Sequence, residues 1–275
     1  MFSRQRTGSV VCPTCGNLVG VNDERCYNCG RWNPGLWGFG PLLRRMGTDL
    51  GFTNVVVFSC VALFLVMLLV SGRNVTLAAG PMSFLSPSDL AVVLFGASGA
   101  YPVFALGSWW TVLSAGWLHG SALHILFNMM WVRQLGPATG ELFGPSRVII
   151  IYIAAGVTGF LVSSLAGSQL TLGASAGIMG LLGAMVRYGQ RTGSSHVGSQ
   201  AWTWALILFV MGFLMRGVDN WAHGGGFVGG YLAALVLDPL QRERPAHLFV
   251  ALGCLLVTAL SIVASLLKGL ALLRG

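Results

Sequence analysis

Apolar residues in this chain come in long blocks, and the polar positions gather between them. Seven blocks stand out, at residues 54–70, 121–135, 148–165, 173–187, 201–215, 220–237 and 247–267. Each predicts a membrane-spanning helix. A helix rises about 1.5 Å per residue, so crossing an apolar layer of ~30 Å takes about 20 residues. Several blocks are shorter than that and must draw on flanking residues. The stretch 71–120 carries apolar residues at 90–95 and 104–110, but Gly, Pro and Ser punctuate it throughout. That pattern predicts a membrane-lying loop rather than an eighth span.

Composition agrees. Of the 275 residues, 9% are charged and 55% are hydrophobic, and the mean hydropathy is +0.74. A soluble protein carries roughly 25% charge to cover its outside. A water-soluble fold, a disordered chain and a disulfide-stapled miniprotein are therefore excluded. An all-α multi-spanning membrane protein fits, because lipid lets apolar side chains face outward.

The net charge of +8 raises the question of nucleic acid. The 16 basic residues form no single patch; they sit in short clusters between the apolar blocks. Such clusters orient a chain in a membrane. With the N-terminus inside and seven spans, the inner side holds Arg4, Arg6, Arg25, Arg31, Arg44, Arg45, Arg133, Arg147, Arg187, Arg191, Arg242 and Arg244. The outer side holds Arg73, Arg216, Lys268 and Arg274, giving 12 against four. An eighth span near Leu90 would make it ten against six. Seven spans and a cytoplasmic N-terminus follow, in a plasma (inner) membrane, with no nucleic acid as partner.

Residues 1–31 form a separate head. Cys12-Pro-Thr-Cys15 and Cys26-Tyr-Asn-Cys29 are two knuckles ten residues apart. Four thiolates at this spacing close around one Zn²⁺, and with no open coordination position the metal is structural. Gly16 and Gly30 follow the knuckles, where the backbone turns tightly. Two disulfides are the alternative, but a cytoplasmic head is kept reduced. The head resembles a small zinc ribbon; the sequence names no partner for it. Residues 32–53 read as a linker, 54–240 as a six-helix core and 241–275 as an additional C-terminal helix. Cys60 and Cys254 read as packing residues within spans.

Polar groups inside spans are few, and each is a functional candidate. His124 and Asn128 are four apart and share a helix face; a packing pair is the plainer explanation. Gly173-Ala-Ser175-Ala-Gly177 opens the fourth span, and Ala222-His223 with five following glycines lies in the sixth. A lone Ser often bonds to its own backbone, and glycines alone serve helix association. Topology joins the three groups. All lie near the start of even-numbered spans, which run from outside to inside, so they share one depth roughly 5–10 Å below the outer surface. Two small-residue faces, Gly173/Gly177 and Gly226/Gly230, are expected to bring spans four and six together.

A Ser hydroxyl is a weak nucleophile until a base takes its proton, and neutral His does this near pH 7. The oxyanion that forms needs aimed donors. The Ser175 amide at a helix start can supply one, and His124 and Asn128 others. This is acyl transfer to water by a Ser175–His223 dyad, with no cofactor for catalysis. Asp219, four before His223, is given no triad role.

The His-x-x-x-Asn span, the Gly-x-Ser motif and the Ala-His-x-x-Gly-x-x-x-Gly span, in this order, resemble the rhomboid intramembrane serine proteases over roughly residues 54–237. The resemblance implies six core helices plus one, Ser175 as nucleophile, His223 as base, and His124 and Asn128 as oxyanion donors. It also implies transmembrane protein substrates, cut near small or helix-breaking residues. The chain departs from that family in three places. Ala176 follows the serine where Gly is usual, adding a methyl near the expected oxyanion pocket. Met179 stands where an aromatic residue often stacks on the histidine. Trp109-Trp110-Thr111 replaces a Trp-Arg pair in the first loop.

Other readings are weaker. A nucleophile elbow of a soluble hydrolase needs a strand before the serine, and no His-Glu-x-x-His metalloprotease motif occurs. A transporter would place polar groups near the midplane. A catalytically inactive rhomboid-like protein that binds membrane clients is the main alternative; such proteins characteristically lack the Ser or the His. His119 could line the site or sit in the interface, and the interface is the favoured reading; His196 and His247 are expected in solvated connections.

Overall fold

The computed structural model describes residues 4–40, 46–77, 83–215 and 217–272. Arg44, Arg45, Arg216 and Arg274 of the charge count lie outside them. In the head, β1 (Ser9–Val11) pairs antiparallel with β2 (Leu18–Gly20), with Val10 opposite Val19. Val10, Val19 and Val21 bury against Cys12 and Cys26. Gly16 (φ 77°) and Gly30 (φ 70°) have the left-handed backbone that glycine tolerates. Their amides donate to the Cys12 and Cys26 carbonyls at 3.0 and 2.9 Å.

Every predicted span is a helix. They are α1 (Phe52–Ser71), α4 (Ala122–Phe143), α5 (Pro145–Leu165), α6 (Ser175–Thr192), α7 (Ser195–Leu214), α8 (Asn220–Val236) and α9 (Pro245–Leu272). Among the described residues between α1 and α4 lie α2 (Asp89–Phe95), α3 (Thr111–Ser114), a single π-helical turn at Tyr101–Ala105 and two 3-10 turns, at Gly72–Asn74 and Ala115–Trp117. Seven residues of α2 rise about 10 Å, far short of a bilayer. The segment is the loop its Gly, Pro and Ser content predicts.

Helix starts follow local chemistry. The Asp49 carboxylate accepts from the Gly51 and Thr53 amides before α1. Ser121 caps α4 by accepting from the His124 amide at 3.2 Å, and Asp219 caps α8 through the Trp221 and Ala222 amides. No side chain caps α6.

Four of the helices, starting at Phe52, Pro145, Ser195 and Pro245, are long and apolar enough to cross a membrane by length and composition alone. The other three long ones, α4, α6 and α8, carry the polar candidates. Helix α6 needs no lipid-compatible surface, since 12 of its 18 residues are buried. It sits among α4, α5, α7 and α8.

The α6–α8 contact corrects one expectation. Gly226 and Gly230 do meet α6, but against Ala176 and Gly180, while Gly183 meets the Phe227 carbonyl. A methyl on Gly226, Gly230 or Gly183 would overlap backbone of the facing helix. Gly177 instead lies under the Tyr152 ring of α5, and Gly173 against His124 of α4. The facing row on α6 is 176, 180 and 183, and neither Gly173 nor Gly177 belongs to it.

Two further expectations change. Arg147 is no free interfacial cation: it is 2% exposed. Its guanidinium donates to the carbonyls of Phe143, Asp238, Gln241 and Arg242, and its Nε to His247 Nδ1. The Glu243 carboxylate accepts from the Ser146 and Arg147 amides at the open start of α5. His247 therefore belongs to this knot, because six donors and acceptors left by the end of α4, the start of α5 and the turn after α8 need partners away from water. His196 is exposed, as expected. Cys60 is buried in the core and Cys254 partly so.

Candidate functional site

The segment entering α6 brings the sequence candidates to one corner. Gly173 has φ +127°, and its amide donates to the Ala115 carbonyl of the first loop at 3.0 Å. A Cβ there would lie 2.6 Å from His124 Nε2 and 2.7 Å from Cε1. The glycine of Gly-x-Ser thus serves twice: it takes a backbone conformation that L side chains avoid, and it lets an imidazole rest on the chain two residues before Ser175.

His124 Nδ1 accepts from the Gly120 amide at 3.3 Å. That bond assigns the neutral ring's proton to Nε2, the nitrogen beside Gly173. Asn128 Nδ2 donates to the His124 carbonyl at 2.8 Å, which spends one of its two N–H groups on its own helix. Asn128 is buried and shares the His124 face.

Ser175 is half-buried at the first position of α6. The first intrahelical amide bond runs from Ile178 to Ala174. The amides of Ser175, Ala176 and Gly177 therefore form an uncapped helix start, positive in potential and rich in donors.

His223 lies in the first turn of α8 and is 5% exposed. Its Nδ1 is buried and takes no hydrogen bond among the described residues, so Nε2 is the nitrogen left to meet a hydroxyl. No hydrogen bond joins Ser175 to His223 in this structure. Their neighbours do touch the same place: a Cβ on Gly159 of α5 would lie 2.6 Å from the Ala222 carbonyl and 2.8 Å from the Ala176 methyl. Ser175 and His223 thus sit at one level, one on each of two helices in backbone contact. The Asp219 carboxylate accepts from the Ser163 hydroxyl and the Trp221 and Ala222 amides. Asp219 meets His223 only through the backbone, its carbonyl accepting from the His223 amide at 3.0 Å, and makes no hydrogen bond to the imidazole.

Ala176 is fully buried. Its methyl packs at the α5–α8 contact, beside Gly159 and Ala222.

His119 departs from its favoured interfacial placement. It is fully buried, and its ring meets His124 edge-on at 5.1 Å. Neither ring nitrogen has a partner among the described residues. Its place beside Trp117 and two glycines reads as interfacial; only the fold of the first loop carries it inward.

The geometry has relatives. Residues 106–239 match the family model described as the Rhomboid domain. Residues 106–239, the greater part of the membrane core, are thus similar to a rhomboid domain. Over 155 residues this chain is 32% identical to "Rhomboid protease GluP" of Bacillus subtilis, covering 55% of this chain and 30% of that protein. Over 158 residues it is 33% identical to "RHOMBOID-like protein 4" of Arabidopsis thaliana, covering 56% and 40%. Over 139 residues it is 37% identical to "RHOMBOID-like protein 5" of the same plant, covering 48% and 45%. The matched stretch spans less than half the length of each.

The rhomboid match begins well after the cysteine head. There, the four sulfurs of Cys12, Cys15, Cys26 and Cys29 lie within 4.8 Å of one another. Cys12 and Cys29 are 3.8 Å apart, and Cys15 and Cys26 3.6 Å. All four are free thiols. The Asn17 amide and the Asn28 side chain lower Cys15 to about 6. Cys29 accepts from the Arg31 amide, yet burial and the thiols of Cys15, Cys26 and Cys12 push it up to about 11. A cluster whose last proton is held by its own sulfurs is one that a cation discharges, so the four can hold a metal ion.

Proposed function

We propose that this rhomboid protein is an intramembrane serine endopeptidase that cuts transmembrane helices of other proteins near the outer side of the bilayer. Ser175 Oγ attacks the scissile carbonyl carbon while its proton passes to His223 Nε2. The carbonyl oxygen becomes an oxyanion facing the Ser175 amide, His124 Nε2–H and the second Asn128 N–H. His223 returns the proton to the leaving amine, and water repeats the sequence on the acyl-enzyme. The observation that carries this reading is the meeting at one corner of an uncapped helix start bearing Ser175, the Nε2–H of His124 two residues away, and the His223 turn of α8.

The head carries a structural Zn²⁺. Tetrahedral Zn–S bonds of about 2.3 Å put sulfurs about 3.8 Å apart, in keeping with the 3.6 and 3.8 Å pairs. The chain lies in a plasma (inner) membrane with head and N-terminus in the cytoplasm, as the basic clusters favour.

The test is cleavage of a single-span helical substrate by purified protein in liposomes. Wild-type protein cuts it; Ser175→Ala and His223→Ala do not. Cleavage that survives in Ser175→Ala ends the dyad. Wild-type protein that binds the substrate without cutting it establishes a client-binding role instead.

A further inference from the structure

The C-terminal helix α9 stands outside the six-helix core, yet it packs on the first loop at several points. Trp110 Nε1 donates to Ser265 Oγ at 3.1 Å. Lys268 Nζ donates to the Leu106 carbonyl and lies 5.2 Å from the centroid of the Trp110 ring. Ser265 is buried against Gly96, whose φ of +99° and lack of a Cβ leave room for it; a Cβ there would sit 2.9 Å from Ser265 Cβ. Gly269 gives similar room to Leu94 of α2. Lys268 has no acidic partner among the described residues. Its charge is matched only by a carbonyl dipole and an aromatic face, both belonging to the loop.

The clamped loop is joined in turn to the chain that enters α6. Ser98 and Thr171 exchange both backbone hydrogen bonds, at 2.9 and 2.8 Å. The Ala100 and Tyr101 amides donate to the Ser168 and Gln169 carbonyls, and the Gly173 amide returns to Ala115. Thr111 Oγ1, directly after Trp110, donates to the Ser108 carbonyl at 2.8 Å and lies 3.3 Å from Ser98 Oγ, whose hydroxyl can donate to it. A continuous path of short bonds therefore runs from α9 through the Trp110 turn and Ser98 to Thr171 and Gly173, two residues before Ser175.

We propose that α9 is a positioning element for the serine: Lys268 and Ser265 hold the first loop, and the loop holds residues 168–173 against His124. This rests on the reading of Ser175 as a nucleophile. Lys268 supplies the cation beside Trp110 that the following residue, Thr111, does not. The contacts concern how the serine is aimed, not how substrate is held, so their loss lowers kcat and leaves KM in place.

The experiment measures three quantities in full-length protein: the labelling rate of Ser175 by a fluorophosphonate probe, kcat and KM on a single-span substrate, and melting in detergent. Lys268→Met is expected to slow labelling and kcat by about tenfold to a hundredfold, the range a misplacement near 1 Å produces. KM is expected to stay, and Lys268→Arg to restore most of the rate. Trp110→Phe, which keeps a ring and loses the Ser265 bond, is expected to behave similarly with smaller effect, and it decides the matter if Lys268→Met does not fold. Unchanged labelling in folded Lys268→Met or Trp110→Phe overturns the inference, as does a loss of rate that Lys268→Arg fails to restore. Wild-type protein that neither labels nor cleaves overturns the nucleophile reading itself, a separate result.

Discussion

Replacing Gly173 by Ala asks the most of the site with one methyl group. At φ +127° an L residue is strained, at about 1–3 kcal/mol. The new Cβ starts 2.6 Å from His124 Nε2, and ordinary contact begins at 3.4 Å, so ring and backbone must part by 0.8 Å. The ring cannot simply swing away: Gly120 holds its Nδ1 and His119 blocks its edge at 5.1 Å. Such overpacking costs about another 1–3 kcal/mol. The two together come to roughly 2–6 kcal/mol. On the proposed mechanism, in which His124 is an oxyanion donor, the shift carries that donor off its line, and a loss of about a hundredfold in cleavage should accompany it. Melting of wild type, Gly173→Ala, His124→Ala and the double variant separates the causes. With His124 truncated, the steric share disappears and the conformational share stays, so the cycle should show coupling of about 1–3 kcal/mol. Gly173→Ala that is equally damaging with and without the imidazole refutes the argument that His124 rests on this glycine.

Three other outcomes are expected. Elemental analysis should find one zinc per chain, lost in Cys12→Ser or Cys29→Ser and held less tightly as pH falls, since protons compete for thiolates; a metal-free wild-type head refutes the zinc assignment. Arg147→Met should destabilise the inner end of the bundle by about 3–5 kcal/mol, because it leaves buried carbonyls without donors; faster proteolysis of the 238–247 turn and a lower melting temperature would register it. Gly230→Ala should force α6 and α8 apart at the Gly180 carbonyl and cost about 1–3 kcal/mol or more, whereas Gly253→Ala on α9, with nothing within 4 Å, should leave melting unchanged.

The architecture was legible because lipid punishes two errors severely. A polar group without a partner and a backbone without internal bonds both cost too much. Seven apolar blocks therefore read as helices, and His124, Ser175 and His223 stood out as candidates. The loop between the first two spans was legible for the opposite reason: its Gly, Pro and Ser cannot sustain a helix long enough to cross. What escaped the sequence depends on rotation and on distant partners. Arg147 looked like an orienting charge, since nothing local shows that the turn at 238–247 folds back to offer it carbonyls. His119 looked interfacial among Trp and Gly, and its burial is set by a loop whose path α9 helps fix.

The α6–α8 contact shows how one residue of offset changes a functional argument. Glycines at 173 and 177 advertise a packing face, and the family pattern makes Ala176 look like an intruder between nucleophile and pocket. The facing row is instead 176, 180 and 183, so the alanine methyl is itself the packing group, pressed between Gly159 and Ala222. Gly173 is released from packing to accommodate His124, and Gly177 to accommodate Tyr152. The residue directly after the proposed nucleophile is therefore committed to the α5–α8 contact, and a larger side chain at 176 should part those helices, beside Gly159 and the Ala222 carbonyl, before it reaches any substrate.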